Sequence, residues 1–346
     1  MKSAKLTGIN QTEIINIPKP IICSPNDVLI KMARVGLSGS DVHYFASGMI
    51  GSQVVKYPFT VGHEGAGIVE EIGSNVTKVK PGDRIAIEPA MPCFECDQCK
   101  TERFNTCRKL KFLGCPGQAE GCLSEYIIMP ETSCFPIPDF MNFDEASISE
   151  PLAIGLYAVK ESISMKGAAI GIFGCGPIGL SVLISAIFLG AEKIYVTDKI
   201  DNRLDIAMAN GAIWAGNPDK INIIEEISNK EPLMLDIVFE CCGDQNAMDM
   251  AIDLLKPGGK LMLIGIPATS ERISFKIDLL RRKEITIQNV RRQNECCQAA
   301  LDMINSKKID VNFMATHRFK LDEIQKAMEL VHNYKNGVIK AMIDIY

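Results

Sequence analysis

The chain has 346 residues, 47% of them hydrophobic and 23% charged, and a formal net charge of −5. That balance is ordinary for a soluble globular protein, and the length exceeds what one core usually fills, so two domains are expected. An acidic balance without a basic run argues against nucleic acid or an anionic membrane as partner.

The opening stretch, MKSAKLTGINQTEIINIP, lacks the apolar core of a secretory signal. A cytoplasmic protein with its 13 cysteines reduced is therefore expected. The next part, to about residue 150, carries short strand-like runs broken by Gly and Pro: DVLIKMARVG (27–36), AGIVEEIG (66–73), DRIAIEP (83–89) and CLSEYIIMP (122–130). This pattern predicts a twisted, barrel-like β domain.

Within that region, PCFECDQCKTERFNTC places Cys93, Cys96, Cys99 and Cys107 in the spacing C-x2-C-x2-C-x7-C. Four thiolates on one short loop suit a closed tetrahedral zinc site whose role is to fold the loop. An iron–sulfur cluster is the competing reading, but no proline follows the fourth cysteine and there is no second matching set. The other cysteines, including Cys241 and Cys242, read as small buried hydrophobes.

From about residue 155 the rhythm changes. Apolar strands AAIGIFG (168–174), KIYVTD (193–198), LDIVFECCG (235–243), KLMLIGIP (260–267) and EITIQNV (284–290) alternate with helical patterns, which predicts a parallel doubly wound sheet. The uncharged run 168–191 is long enough to span a membrane. Three glycines and a proline in FGCGPIG break it, so a buried strand, a tight turn and a buried helix are expected.

That turn is Gly174-x-Gly176-x-x-Gly179, with Pro177 and Ile178 opening the helix. The glycines permit the tight turn, the approach of a pyrophosphate and close helix–sheet packing, and the helix N-terminus offers amides to phosphate. The following strand ends in Asp198, at the spacing expected of the acid that binds the ribose hydroxyls. A carboxylate there repels a 2′-phosphate, so NAD is expected over NADP, with Lys199 and Arg203 as nearby cations that weigh the other way. The last segment, 291–346, reads as helix, loop and a final strand, VIKAMIDIY.

One further stretch, VGHEGAGIVEEIGSNV, contains GHE-x2-G-x5-G-x2-V in full, through Gly62, His63, Glu64, Gly67, Gly73 and Val76. This resembles the signature of zinc-containing medium-chain dehydrogenases and reductases. SGSDVHYF, IEPAMPC, SEPLAIGLYAV and MATHRF are similar to the sorbitol and xylitol dehydrogenase-like subgroup. The resemblance covers essentially the whole chain. It implies an α/β protein with a GroES-like β-rich catalytic domain at 1–154 and 290–346, and a Rossmann NAD-binding domain at 155–289.

It also implies a second zinc, held in the subgroup by a cysteine of G-x-CGSD, the GHE histidine and glutamate, and a further glutamate near a bound water. Here those positions are Ser38, His63, Glu64 and Glu150. Ser38 is the departure, because a neutral hydroxyl is a far weaker ligand than a thiolate. Three readings stay open: zinc held through His63, Glu64 and Glu150 with Ser38 weakly bound or outside, a preference for a harder ion, or an empty and impaired site.

The chemistry implied is metal-assisted ionisation of an alcohol and hydride transfer to nicotinamide. The proton would leave through Ser40 and His43, or through Glu150 and water. For His43 a surface helix residue is the competing reading, and for Ser40 a turn residue. Tyr44 corresponds to an aromatic lining the polyol pocket and Arg291 to an arginine that binds substrate hydroxyls. Arg292 beside it suits a polyol phosphate, or else it faces solvent or a subunit neighbour.

The leading expectation is an NAD-dependent oxidation of a polyol secondary alcohol to a ketone, in a homo-oligomer of two or four subunits. A threonine 3-dehydrogenase-like activity and a noncatalytic NAD-binding protein are the alternatives.

Overall fold

The computed structural model describes residues 1–267 and 272–346. The chain divides into two compact units, Met1–Glu150 with Cys297–Tyr346, and Pro151–Cys296. The boundaries lie at 150/151 and 296/297, a few residues from those expected at 154/155 and 289/290. Arg291 and Arg292 therefore belong to the second unit.

The first unit is built on a seven-stranded sheet. Its path runs through Cys134–Pro136, Arg84–Ile87, Glu64–Ile72, Asp27–Gly36, Lys340–Asp344 and Ala315–Lys320, and Tyr126–Pro130 also pairs with Asp27–Gly36. The strand Asp27–Gly36 is buried along most of its length, because Val28, Ile30, Met32 and Val35 enter the core. It pairs antiparallel with Glu64–Ile72, bringing Gly36 opposite Glu64, and with Lys340–Asp344. Gly67 is required by this packing, since a Cβ there would fall on the backbone carbonyl of Lys31. The final strand and the strand that begins at the GHE motif thus flank Asp27–Gly36 on opposite sides, although the two lie far apart in sequence.

The second unit holds a six-stranded, all-parallel sheet in the order Trp214–Gly216, Lys193–Thr197, Ala169–Phe173, Leu235–Glu240, Leu255–Leu263 and Thr286–Asn289. Numbered along the chain this is 3-2-1-4-5-6, the doubly wound order that binds a dinucleotide beyond the carboxyl ends of the strands. The strand Ala169–Phe173 is buried throughout, and the helix Pro177–Phe188 that follows is buried over most of its length. Their lack of charge reflects a core, not a membrane span, and no helix among the described residues is long and apolar enough to cross a bilayer. The short strand Trp214–Gly216 gave no signal in the sequence, because three residues are too few to show a period.

All 13 cysteines are free thiols. Three depart from the expectation of burial, Cys241 among them as a half-buried residue. Cys23 is exposed, and so is Cys242, whose Sγ donates to Glu240 Oε1 at 2.9 Å at the end of a strand instead of packing in the core.

Candidate metal and dinucleotide sites

The helix Gly39–Ser47 follows directly from the strand Asp27–Gly36 and starts from Ser38, which is its N-cap. The Ser38 hydroxyl accepts from the Asp41 amide at 3.1 Å, and the Asp41 carboxylate accepts from the Ser38 amide at 3.0 Å. This reciprocal capping satisfies amides that a helix end otherwise leaves bare. Asp41 is fully buried, and its Oδ1 accepts from the Gly62 amide at 2.9 Å and lies 3.5 Å from His63 Nδ1. The capped helix start is therefore tied to the GHE segment.

His63, Glu64 and Glu150 meet there. One ligand atom from each lies within 4.8 Å of the others, and all three residues are buried. His63 stacks at a tilt on Phe112, with ring centroids 5.2 Å apart. Burial alone would depress the imidazole, but Asp41, Glu150 and Glu64 together lift it to about 9. Burial likewise pushes Asp41 up, yet His63 and the two hydrogen bonds from Ser38 hold it below the usual carboxylate range.

Glu64 also meets Lys340, whose ammonium pairs with Glu64 Oε2 and lies 3.4 Å from the Leu37 carbonyl. A side chain at Gly36 would collide with this pair, so glycine is needed there. A buried imidazole and two carboxylates with a spare position form a donor set that suits a catalytic divalent ion such as zinc.

Ser40 and His43 sit on the same helix as half-buried residues. Ser40 Oγ is 3.0 Å from Ser38 Oγ. His43 is lowered from its ordinary value by burial and by His332. Tyr44 is buried, and its hydroxyl donates to Gln53 at 2.9 Å. Arg291 is exposed, and Arg292 is half-buried with a left-handed backbone, φ 53°. Asp41 and Lys340 were not singled out from the sequence. Asp41 lay in plain sight within SGSDVH, three residues after the cap, but Lys340 had no local signal.

The four-cysteine loop is compact. Sγ separations run from 3.5 Å for Cys93–Cys107 through 3.6 Å for Cys96–Cys99 to 3.9 Å for Cys96–Cys107 and 4.0 Å for Cys93–Cys99. Zinc–sulfur bonds of about 2.3 Å in a tetrahedron need edges of about 3.8 Å, so the thiols fit zinc. Backbone amides of Cys99 and Arg108 pull the Cys96 thiol down to about 6, which prepares it as a thiolate.

In the second unit, Gly174 has φ 97°, Gly176 caps the helix Pro177–Phe188, and Pro177 occupies its first turn with Ile178 next. A Cβ at Gly179 would fall on the Gly174 carbonyl oxygen, so the helix can approach the strand only with glycine there. Asp198 stands at the end of the neighbouring strand. It accepts from the Cys175 amide at 2.7 Å and the Ile200 amide at 2.8 Å, and Arg203 Nη1 lies 3.9 Å away. The acid expected at the ribose thus also braces the glycine turn.

Two family descriptions match the chain: residues 24–139 match the alcohol dehydrogenase GroES-like domain, and residues 177–306 match zinc-binding dehydrogenase. The chain belongs to the zinc-containing medium-chain dehydrogenase family, in its sorbitol dehydrogenase-like subgroup. Its class of chemistry is therefore oxidoreduction with zinc and a nicotinamide dinucleotide. It is 34% identical to a sorbitol dehydrogenase of Bacillus subtilis over 99% of this chain and 97% of that protein. It is 33% identical to an L-idonate 5-dehydrogenase of Vitis vinifera over 99% of this chain and 94% of that one. Among solved structures, an Escherichia coli oxidoreductase/dehydrogenase of unknown specificity superposes with a TM-score of 0.94 at 33% identity, covering 100% of this chain and 99% of the other.

Proposed function

We propose that the protein is an NAD-dependent dehydrogenase that oxidises a secondary hydroxyl of a polyol to a ketone. The observation that carries this is the buried meeting of His63, Glu64 and Glu150. Relatives named for sorbitol and L-idonate support the substrate class. In the overall reaction a hydride passes from the carbinol carbon to the nicotinamide, and the hydroxyl proton goes to solvent.

His63, Glu64 and Glu150 would hold the ion, which when bound supplies a Lewis acid that favours the ionised alcohol. Asp41 orients His63, Lys340 holds one oxygen of Glu64, and Phe112 covers the imidazole. His43 is neutral at neutral pH and available to accept a proton, with Ser40 on the same helix and 3.0 Å from Ser38 Oγ. Asp198 at the glycine turn favours NAD. Tyr44 serves as a pocket wall, and Arg291 and Arg292 serve substrate oxygens, including those of a phosphorylated polyol. The same reading places the protein in the cytoplasm as a homo-oligomer.

The test is NADH formation on a panel of polyols, their phosphates and L-threonine, with zinc per chain measured alongside. Turnover of polyols with about two ions per chain supports the reading, since the loop and the cluster would each take one. Turnover of threonine alone would replace the substrate class. NAD binding without turnover of any alcohol, in the wild type and in Ser38→Cys, would favour a noncatalytic NAD-binding protein. Tighter binding of NADP than NAD would overturn the cofactor assignment.

A further inference from the structure

Where the resemblance implies a thiolate ligand, this chain has a hydroxyl that is fully engaged. A serine Oγ has one proton to give and two lone pairs. The Ser38 proton goes to Asp41 Oδ2, at 2.8 Å. One lone pair accepts from the Asp41 amide at 3.1 Å. With the proton spent on a carboxylate, the 3.0 Å contact between Ser38 Oγ and Ser40 Oγ must be donated by Ser40, which takes the other lone pair. No donor or acceptor capacity is left for an ion.

The same bonds fix Asp41. Its Oδ2 is held by the Ser38 amide and hydroxyl, while its Oδ1 takes the Gly62 amide and faces His63 Nδ1 at 3.5 Å. A carboxylate behind one ring nitrogen sets the tautomer and the direction of the other, which is how outer partners tune a histidine ligand. A thiolate at position 38 has no proton to donate and could not hold Asp41 in this way.

We propose that Ser38 is a positioning residue that locks the Asp41 carboxylate behind His63 and stays outside the ligand shell of the ion held by His63, Glu64 and Glu150. This rests on the metal site given under the proposed function. The serine is then a working replacement for a ligand, one that trades a thiolate bond for a better-oriented histidine.

The test is a double-mutant cycle on the full-length protein, read by cobalt(II) affinity and spectrum at the second metal equivalent, with the four-cysteine loop filled first. Ser38→Ala and Asp41→Asn should each weaken binding about 10- to 100-fold, the range for lost outer-shell partners. The double variant should be no worse than the weaker single, because both remove one device. Ser38→Thr, which keeps the hydroxyl, should restore affinity, and the cobalt ligand-field bands should keep their shape in Ser38→Ala.

Additive losses, or bands that change in Ser38→Ala, would make Ser38 a direct ligand and overturn the inference. Should Asp41→Asn fail to fold, the alanine and threonine variants and the band shape still decide it. Absence of a second equivalent in the wild type, His63→Ala and Ser38→Cys alike would overturn the metal site itself, and this inference with it. Uptake followed by additive losses would overturn this inference alone.

Discussion

The ammonium of Lys340, from the last strand, is paired with Oε2 of Glu64 from the GHE motif, and both side chains are almost wholly withdrawn from solvent, at 0% and 3% exposure. Neither charge can be buried alone cheaply. The pair holds one oxygen of Glu64 and sets the direction of the other. Lys340→Met should therefore strand a buried carboxylate and cost about 3–5 kcal/mol of stability, measured by urea unfolding. A loss below about 1 kcal/mol would mean the pair behaves as a solvated one, against its burial.

The loop zinc is expected to be structural. Cys96→Ser should remove one ion per chain and loosen residues 93–107, because folding of such a loop is metal binding by another name. Limited proteolysis should nick the variant in this stretch sooner than the wild type, with the rest of the protein resistant. The ring contact between Phe94 and Phe104, the 2.8 Å hydrogen bond from Thr106 to Gln98 and the Asp97–Arg108 ion pair are among the contacts that remain to hold it. Equal proteolytic lifetimes would show that these contacts suffice without zinc.

His43 has its folded pKa lowered from 6.5, first by burial and then by His332. The native state thus prefers the neutral ring. Its contribution to stability is present above the unfolded pKa and is lost as pH falls from about 6.5 through the lowered native value. The urea midpoint of the wild type should drop between pH 7.5 and 5.5 by more than that of His43→Asn. Replacing His332 by Asn should raise the His43 pKa, followed by NMR titration of the ring. An unchanged His43 titration in that variant would show that burial alone sets it.

Gly179 lies where a Cβ would meet the Gly174 carbonyl oxygen. Gly179→Val should push the helix Pro177–Phe188 off the sheet, at a cost of about 1–3 kcal/mol for overpacking. NADH binding, followed by fluorescence, should weaken in step. Unaltered NADH affinity would show that the dinucleotide does not rely on this turn.

Much of the site was legible because its signals are local. The spacing of Cys93, Cys96, Cys99 and Cys107 announced a closed tetrahedral site, and the sulfurs stand at matching separations. The Gly174–Gly176–Gly179 turn and Asp198 follow from strand and helix periods that a single segment carries. His63 and Glu64 stand side by side in the sequence, so their motif could be read directly.

What the tertiary structure decided lies between segments distant in sequence. Lys340 and Glu64 are 276 residues apart, and only the pairing of the last strand against Asp27–Gly36 brings them together. The sequence marked Ser38 as a departure from the thiolate pattern, but only the fold shows where its hydroxyl goes, into a cap with Asp41 that reaches His63. Spacing along a chain specifies the groups within one loop or turn; the partners of a buried charge are chosen by whichever strands and helices fold over it, because burial forbids leaving that charge alone.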